Sequence, residues 1–214
     1  MLEGKKAKEA VSILIKTYPN AKYYLNFNGA LQLLVAAIMS AQTHDNVVNE
    51  LTPNLFSRFN SVDDFANADV DELVKYISRV SFAGAKAKNI IKACSMIKSE
   101  HNGKVPDSMD ELVALPGIGR KTANTILINA FGKVEGIPVD TWVIKLSGRI
   151  GLSKSNDPEE IEQDLEKVVE RKAWGKVAYV LKNHGHEICK TQTPLCSKCV
   201  LNGICERNGV TKSG

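Results

Sequence analysis

The stretch Leu115-Pro116-Gly117-Ile118-Gly119-Arg120-Lys121-Thr122-Ala123-Asn124 decides how the rest of this chain is read. Before it, Ser108 to Ala114 carries the apolar spacing of a short helix, and after it the apolar positions recur at helical spacing from Arg120 to Phe131. The segment is therefore a helix, a tight turn and a second helix. Two glycines two apart let the backbone take positive φ and leave no side chain in the way of an approaching group. The second helix points its free N–H groups and the positive end of its dipole at whatever lies before the turn, which is where phosphate fits. A Pro-Gly turn taken alone is more often a plain αα-hairpin with a glycine cap. Arg120 and Lys121 argue for the anion: two cations at a helix start oppose the dipole, an arrangement easier to understand if negative charge docks there.

The same 3.6-residue period runs through nearly the whole chain, and no segment alternates as a strand does. Ala7, Ala10, Val11, Leu14, Ile15 and Tyr18 share one stripe of a first helix, which Pro19-Asn20 stops. Ala30 to Ser40 is mostly apolar and belongs at the centre of a bundle. Further helices are expected from His44 to Phe59, Val70 to Ser78, Ala85 to Lys98, Thr141 to Ile150, Pro158 to Arg171 and Ala173 to Cys189. Asp157-Pro158-Glu159-Glu160 is the clearest start signal, with a capping acid and a proline in the first turn. The fold class is all-α. Gly132 to Pro138, short and carrying two glycines and a proline, is the best candidate for a domain connection.

With 43% apolar and 24% charged residues, the chain can bury a core and lies outside the disordered and disulfide-rich classes. No apolar run reaches the roughly 18 residues of a membrane span. The N-terminus lacks a signal-peptide pattern, so a cytoplasmic, reducing compartment is expected. The formal net charge of +4 hides a segregation along the chain. Ser61 to Val74 holds five acids and no base, Lys75 to Lys104 seven bases and one acid, and Asp157 to Glu170 seven acids and one base. Each run reads as a solvated helix face, or together they concentrate positive potential on one side for an anionic polymer.

Five cysteines in a reducing compartment suggest ligation rather than disulfides. Cys189, Cys196, Cys199 and Cys205 form C-x6-C-x2-C-x5-C within 17 residues. Only one pair is a C-x2-C, so a two-knuckle zinc ribbon fits poorly, while four closely spaced thiolates suit a cubane cluster. Spacing alone does not identify the metal. Cys94 shares a helical face with Ile90, Ile91 and Ile97 and reads as core. His184 and His186 read as structural or exposed.

Five stretches in one order resemble the endonuclease III branch of the helix-hairpin-helix DNA glycosylases: Met39 to Asp45, Ala85 to Lys92, Leu115 to Asn124, Val139-Asp140-Thr141 and the cysteine cluster. The resemblance covers essentially the whole chain. It implies a bilobal all-α fold, with a helical bundle over residues 22–132 carrying the hairpin at about 108–131. A second lobe would combine residues 1–21 with 133–214 and the cluster loop at 189–205. It also implies a bifunctional base excision repair enzyme that removes damaged, oxidised pyrimidines from duplex DNA and nicks the abasic site by β-elimination. Lys121 stands at the family's catalytic lysine and Asp140 at its catalytic aspartate. A lysine amine can attack the anomeric carbon and remain as a Schiff base. Asp140 would assist departure of the base and stabilise positive charge on the sugar.

Other positions follow from the same resemblance. Gly117, Gly119 and Arg120 would hold DNA phosphate. Gln42 lies where the family places a gap-filling glutamine, Asp45 where it places a pocket acid, and Arg79 to Gly84 at its wedge, with Phe82 and beside it Val80 stacking into the helix. The four cysteines match the family's [4Fe-4S] loop, a structural and DNA-positioning feature, and Lys190, Lys198 and Arg207 would then meet the DNA backbone. The expected partner is double-stranded DNA with damaged bases or abasic sites, bound by a monomer associated with the nucleoid. Three departures bear on lesion range and fit: Ser81-Phe82-Ala83-Gly84 in the wedge, Trp142 where a histidine usually stands, and a Lys121 to Asp140 interval one residue longer. Rival readings are an adenine glycosylase, a monofunctional mismatch glycosylase and a non-catalytic DNA-binding iron–sulfur protein. The adenine enzymes carry a glutamate where this chain has Ile38 and usually lack the lysine, and Lys121 also disfavours the mismatch enzyme.

Overall fold

Short polar side chains stand before many of the helices and fix where each one starts. In the computed structural model, which describes residues 2–214, Ser61, Asp69, Ser108, Asp140 and Asp157 each accept a hydrogen bond from the first turn of the helix that follows. Such caps are worth about 1 kcal/mol each. The chain order is α1 (Gly4–Thr17), α2 (Gly29–Ser40), α3 (Asp45–Arg58), α4 (Val62–Ala66), α5 (Val70–Tyr76), α6 (Ala83–Glu100), α7 (Met109–Ala114) and α8 (Arg120–Phe131). There follow α9 (Thr141–Ile150), α10 (Pro158–Val168) and α11 (Trp174–Glu187), with single 3-10 turns at Arg171–Ala173 and Cys196–Lys198. Among the described residues there is no strand, and the all-α expectation holds. No helix among them is long and apolar enough to cross a membrane.

The chain forms two compact units, one from Tyr24 to Lys133 and the other joining the residues up to Tyr23 to Val134–Gly214. In the first, α2 is buried from Leu33 to Met39 without a break and packs against α3, α6 and α8. An all-apolar helix is stable only in such a position. α6 lies against α4 and α5, where Phe59 and Phe65 stack at 5.3 Å. In the second unit α1 packs on α10 and α11, and α11 on α9. Val11, Leu14, Val143, Leu146, Ile161, Leu165 and Leu181 form part of its core. The segment after Gly132 is non-helical as far as Asp140, and Ile137 N donates to the buried carboxylate of Glu162 at 3.0 Å.

Two helical expectations are corrected. α4 was not anticipated: Ser61 to Asn67 showed only its acids, yet Ser61 and Asp64 form a reciprocal capping box that starts a five-residue helix too short to display a period. α10 ends at Val168 instead of reaching Arg171, because Val169 is extended and its carbonyl accepts the Trp174 indole N–H at 3.0 Å.

Candidate active site and cysteine loop

The hairpin lies within the Tyr24–Lys133 unit. Ser108 caps α7, and Ile118 N donates to Leu115 O at 3.1 Å, so the turn between α7 and α8 is tight. Gly117 has φ +85, and a Cβ there would come within 3.1 Å of the Asn89 side chain. Gly119 is different from the expectation of paired positive φ: it is the extended N-cap of α8, φ −99, with nothing within 4 Å of a Cβ. Its side-chain-free face is open space in the protein itself. α8 starts with no side-chain cap and no acid in its first turn, and Arg120 and Lys121 are exposed there. Among the described residues no ion pair holds Lys121. The anchor of the hairpin is therefore apolar, through Leu112, Leu115 and Ile118, while its open end is cationic.

Gln42 and Phe82 are brought together in the same unit. Gln42 lies in the turn between α2 and α3, and Asp45 opens α3 as the acid of its first turn. Phe82 precedes α6 and is 69% exposed, so it is not a core aromatic. Val80, in contrast, is core. Ser81 bridges the two turns: its Oγ donates to Gln42 O at 2.8 Å and its N–H to Thr43 Oγ1 at 3.1 Å. Gln42 and Phe82 both have positive φ, 55 and 58, which non-glycine residues adopt only where the surroundings over-determine them. One residue that sequence reasoning missed is Lys86, buried beneath these turns.

The basic run from Lys75 to Lys104 is not one uniform surface. Arg79 pairs with Glu50 at 2.8 Å, Lys98 pairs with Asp63, and Lys86 is buried, while Lys75, Lys88, Lys92 and Lys104 are exposed.

Asp140 belongs to the other unit. Its Oδ1 accepts from Trp142 N and Val143 N, both at 2.9 Å, so the cap uses one carboxylate oxygen and leaves Oδ2 outside it. A structural cap and a catalytic carboxylate are thus compatible in one side chain. Trp142 lies against His186 at 4.6 Å between ring centroids, with Lys145 Nζ 4.8 Å from its ring. Gly185 makes this possible, since a Cβ there would lie 2.3 Å from the indole.

The four clustered cysteines line one cavity behind α9 and α11, together with Ile188, Leu195 and Leu201. None is in a disulfide. Three of the sulfurs receive N–H donors: Leu201 N to Cys199 at 3.4 Å, Arg207 N to Cys205 at 3.4 Å, and Arg149 Nη1 to Cys189 at 3.5 Å. Arg149 also donates to the carbonyls of Cys189, Lys190 and Thr191, which holds the loop entrance. His184 is buried, with Nε2 3.4 Å from Cys199 Sγ and Nδ1 3.1 Å from the Tyr18 hydroxyl; burial lowers its pKa to about 4. Burial pushes the Cys199 and Cys205 thiols up. N–H donors aimed at sulfur are the surroundings that metal-bound thiolates have. Among the described residues no three acidic, histidine or cysteine side chains gather as ligands of one metal ion; the sulfurs surround a cavity. Lys190, Lys198 and Arg207 are exposed on the loop, and Arg207 is tied back to Asn202. Cys94 is fully buried in α6, as its helical face foretold.

Over residues 35–171 the chain matches the HhH-GPD superfamily of base excision DNA repair proteins. It is similar to the endonuclease III of Synechocystis, 43% identical over 94% of this chain and 91% of that one. It is 34% identical to the endonuclease III of Escherichia coli, over 94% and 95% of the two chains. Its structure superimposes on a trapped covalent intermediate of an endonuclease III with DNA, in an estranged-adenine complex, with a TM-score of 0.92 and 97% of each chain covered at 34% identity.

Proposed function

The chain belongs to the endonuclease III family of the HhH-GPD superfamily, and on that premise we propose that it is a bifunctional glycosylase and abasic-site lyase of base excision repair. Its substrate is duplex DNA carrying damaged, oxidised pyrimidines or abasic sites. The observation that carries this reading is Lys121: an exposed lysine with no ion pair among the described residues, in the first turn of α8 directly after the hairpin.

In this reading the Lys121 amine attacks C1′ of the damaged nucleotide, and the glycosidic C–N bond breaks with its electron pair leaving on the base, which takes up a proton. The sugar ring opens to a protonated imine with Lys121. Loss of a C2′ proton then drives cleavage of the C3′–O bond, and the 3′ phosphate departs. Asp140 stabilises positive charge on the sugar and moves the proton, using the oxygen that its cap bonds leave unengaged. Gly117, Gly119 and Arg120 hold the phosphate at the open end of α8. Gln42 fills the gap left by the extruded base, Phe82 is the wedge, and Asp45 lies in the pocket that receives the base.

Cys189, Cys196, Cys199 and Cys205 fit a [4Fe-4S] cluster, by number and by the N–H groups at their sulfurs. Such a cluster supplies a rigid support for the loop and no turnover chemistry. Lys198 on that loop is available to DNA phosphate. A monomer in the cytoplasm, working at the nucleoid, suits a chain whose ligand thiols must stay reduced.

The test is direct. Wild-type protein nicks an abasic-site duplex with EDTA present and is trapped on it by borohydride, and Lys121→Ala does neither. A Lys121→Ala variant that still forms the covalent adduct overturns the assignment.

A further inference from the structure

Beneath the turns that carry Gln42 and Phe82 lies a buried cation that the proposed chemistry does not use. Lys86, in the second turn of α6, is 6% exposed. Its Nζ donates to Met39 O at 2.7 Å, to Ala41 O, and to Thr43 Oγ1 at 3.2 Å. All three acceptors are uncharged, and all lie at or just beyond the C-terminus of α2. That terminus carries no basic residue of its own. Its last carbonyls lack helical partners and sit at the negative end of the dipole, so a cation reaching in from α6 satisfies both deficits.

The network does not stop at α2. Thr43 Oγ1 also accepts the N–H of Ser81, and the Ser81 hydroxyl donates to Gln42 O. Lys86 N in turn donates to Phe82 O at 3.0 Å, so the ammonium and the amide of one residue grip both turns. On either side of this knot stand Gln42 and Phe82, both exposed and both at positive φ without being glycine. A backbone that side chains resist persists only where neighbouring bonds leave it no choice, and it is concentrated where function needs a fixed geometry.

We propose that Lys86 is a positioning residue for base extrusion: by tying the α2–α3 turn to the α5–α6 turn it fixes the separation of Gln42 and Phe82, so that both enter the duplex as one unit. The inference rests on the reading of those two residues as gap filler and wedge. Burial lowers the pKa of Lys86, which is the direction expected of a desolvated ammonium without a carboxylate.

A residue that merely supported the fold would slow every step alike. A residue that sets the wedge slows the step in which a stacked base must leave the helix. The experiment compares single-turnover base release from an oxidised-pyrimidine duplex with β-elimination at a preformed abasic site, where no base has to be extruded. Lys86→Met is expected to slow base release by roughly 10- to 100-fold, the scale on which small misplacements act, and elimination by about tenfold less than that. In a Phe82→Ala background the same substitution is expected to add little, because contacts within one unit are not additive. Lys86→Arg restores base release in part.

Equal slowing of both steps, or effects of Lys86→Met and Phe82→Ala that multiply as independent ones, overturns the proposal. If Lys86→Met does not fold, Thr43→Val decides: it removes the Ser81 acceptor and leaves Lys86 on the two carbonyls, so base release is again expected to suffer more than elimination, and equal loss refutes the idea. A wild-type chain that processes neither duplex sinks the glycosylase reading and this proposal with it. A wild-type chain active on both, with Lys86→Met unchanged, sinks the proposal alone.

Discussion

Asp140→Asn should separate the cap that this carboxylate makes from the catalytic job proposed for it. Both cap bonds, from Trp142 N and Val143 N at 2.9 Å, fall on Oδ1. An asparagine can keep that oxygen in place, and Asn caps a helix about as well as Asp. What it loses in the fold is the charge at the start of α9, worth about 0.3–1 kcal/mol at an exposed helix start. Asp140→Ala loses the cap itself, about 1 kcal/mol, which for a chain of this size lowers the Tm by roughly 2–4 °C. Catalysis has a different scale. Removing a positioned acid–base group costs about 10²–10⁴ in rate, or roughly 3–5 kcal/mol of barrier. The order of the variants should therefore differ between assays. In thermal melting followed by circular dichroism, Asn lies close to wild type and Ala below it. In single-turnover release of an oxidised pyrimidine, Asn and Ala fall together by orders of magnitude. An Asn variant with activity within a few-fold of wild type would show that Asp140 is a cap and nothing more. An Asn variant that melts as low as Ala would show that the Oδ1 bonds do not hold the start of α9.

The hairpin glycines make a matched pair: Gly117→Ala, at φ +85 and 3.1 Å from Asn89, should cost about 1–2 kcal/mol of stability, whereas Gly119→Ala, extended and facing open space, should cost only the roughly 0.5–1 kcal/mol by which glycine exceeds alanine as an N-cap. A loss of DNA affinity in Gly119→Ala, read by fluorescence anisotropy, then reports DNA backbone at that face, and unchanged affinity argues against it. Gly185→Ala drives a methyl to within 2.3 Å of Trp142 and should destabilise by about 1–3 kcal/mol as overpacking does, with a shift in tryptophan fluorescence; a variant that melts as wild type would mean the indole has room to move. Freshly purified protein should show the broad visible absorbance of an iron–sulfur cluster, and Cys199→Ala should lose it and melt lower, while a colourless wild type retaining one zinc ion refutes the cluster.

Much of this was legible along the chain because it is local. The period of α8, the helical face of Cys94 and the spacing of the four cysteines are each written within a few neighbouring residues, and each is where the pattern put it. The misses have the opposite character. A five-residue helix such as α4 has no period to read, only the Ser61 and Asp64 pair. Gly119 could be given positive φ only because a glycine permits it; in the structure it serves as an N-cap, for which the absence of a side chain is the property that counts. The basic run is divided in a way the run itself does not show, because partners for Arg79 and Lys98, at Glu50 and Asp63, lie well upstream in the chain.

Lys86 states the physical limit most sharply. In sequence it is one of several lysines on a helix, and Lys88 and Lys92 beside it are exposed. Its environment is set by backbone carbonyls at Met39 and Ala41, and backbone acceptors have no residue identity for a pattern to register. Buried cations are expensive unless paired, and sequence reasoning looks for the pairing acid. Here the counter-charge is the end of a helix, formed by the fold itself and supplied by no side chain. The same holds for Trp142, whose place depends on Gly185 having no Cβ, a relation between residues on α9 and α11 that neither segment displays alone. Candidate reactive side chains are therefore readable early, while the contacts that fix neighbouring turns and rings in place become visible only when helix ends and missing atoms count as partners.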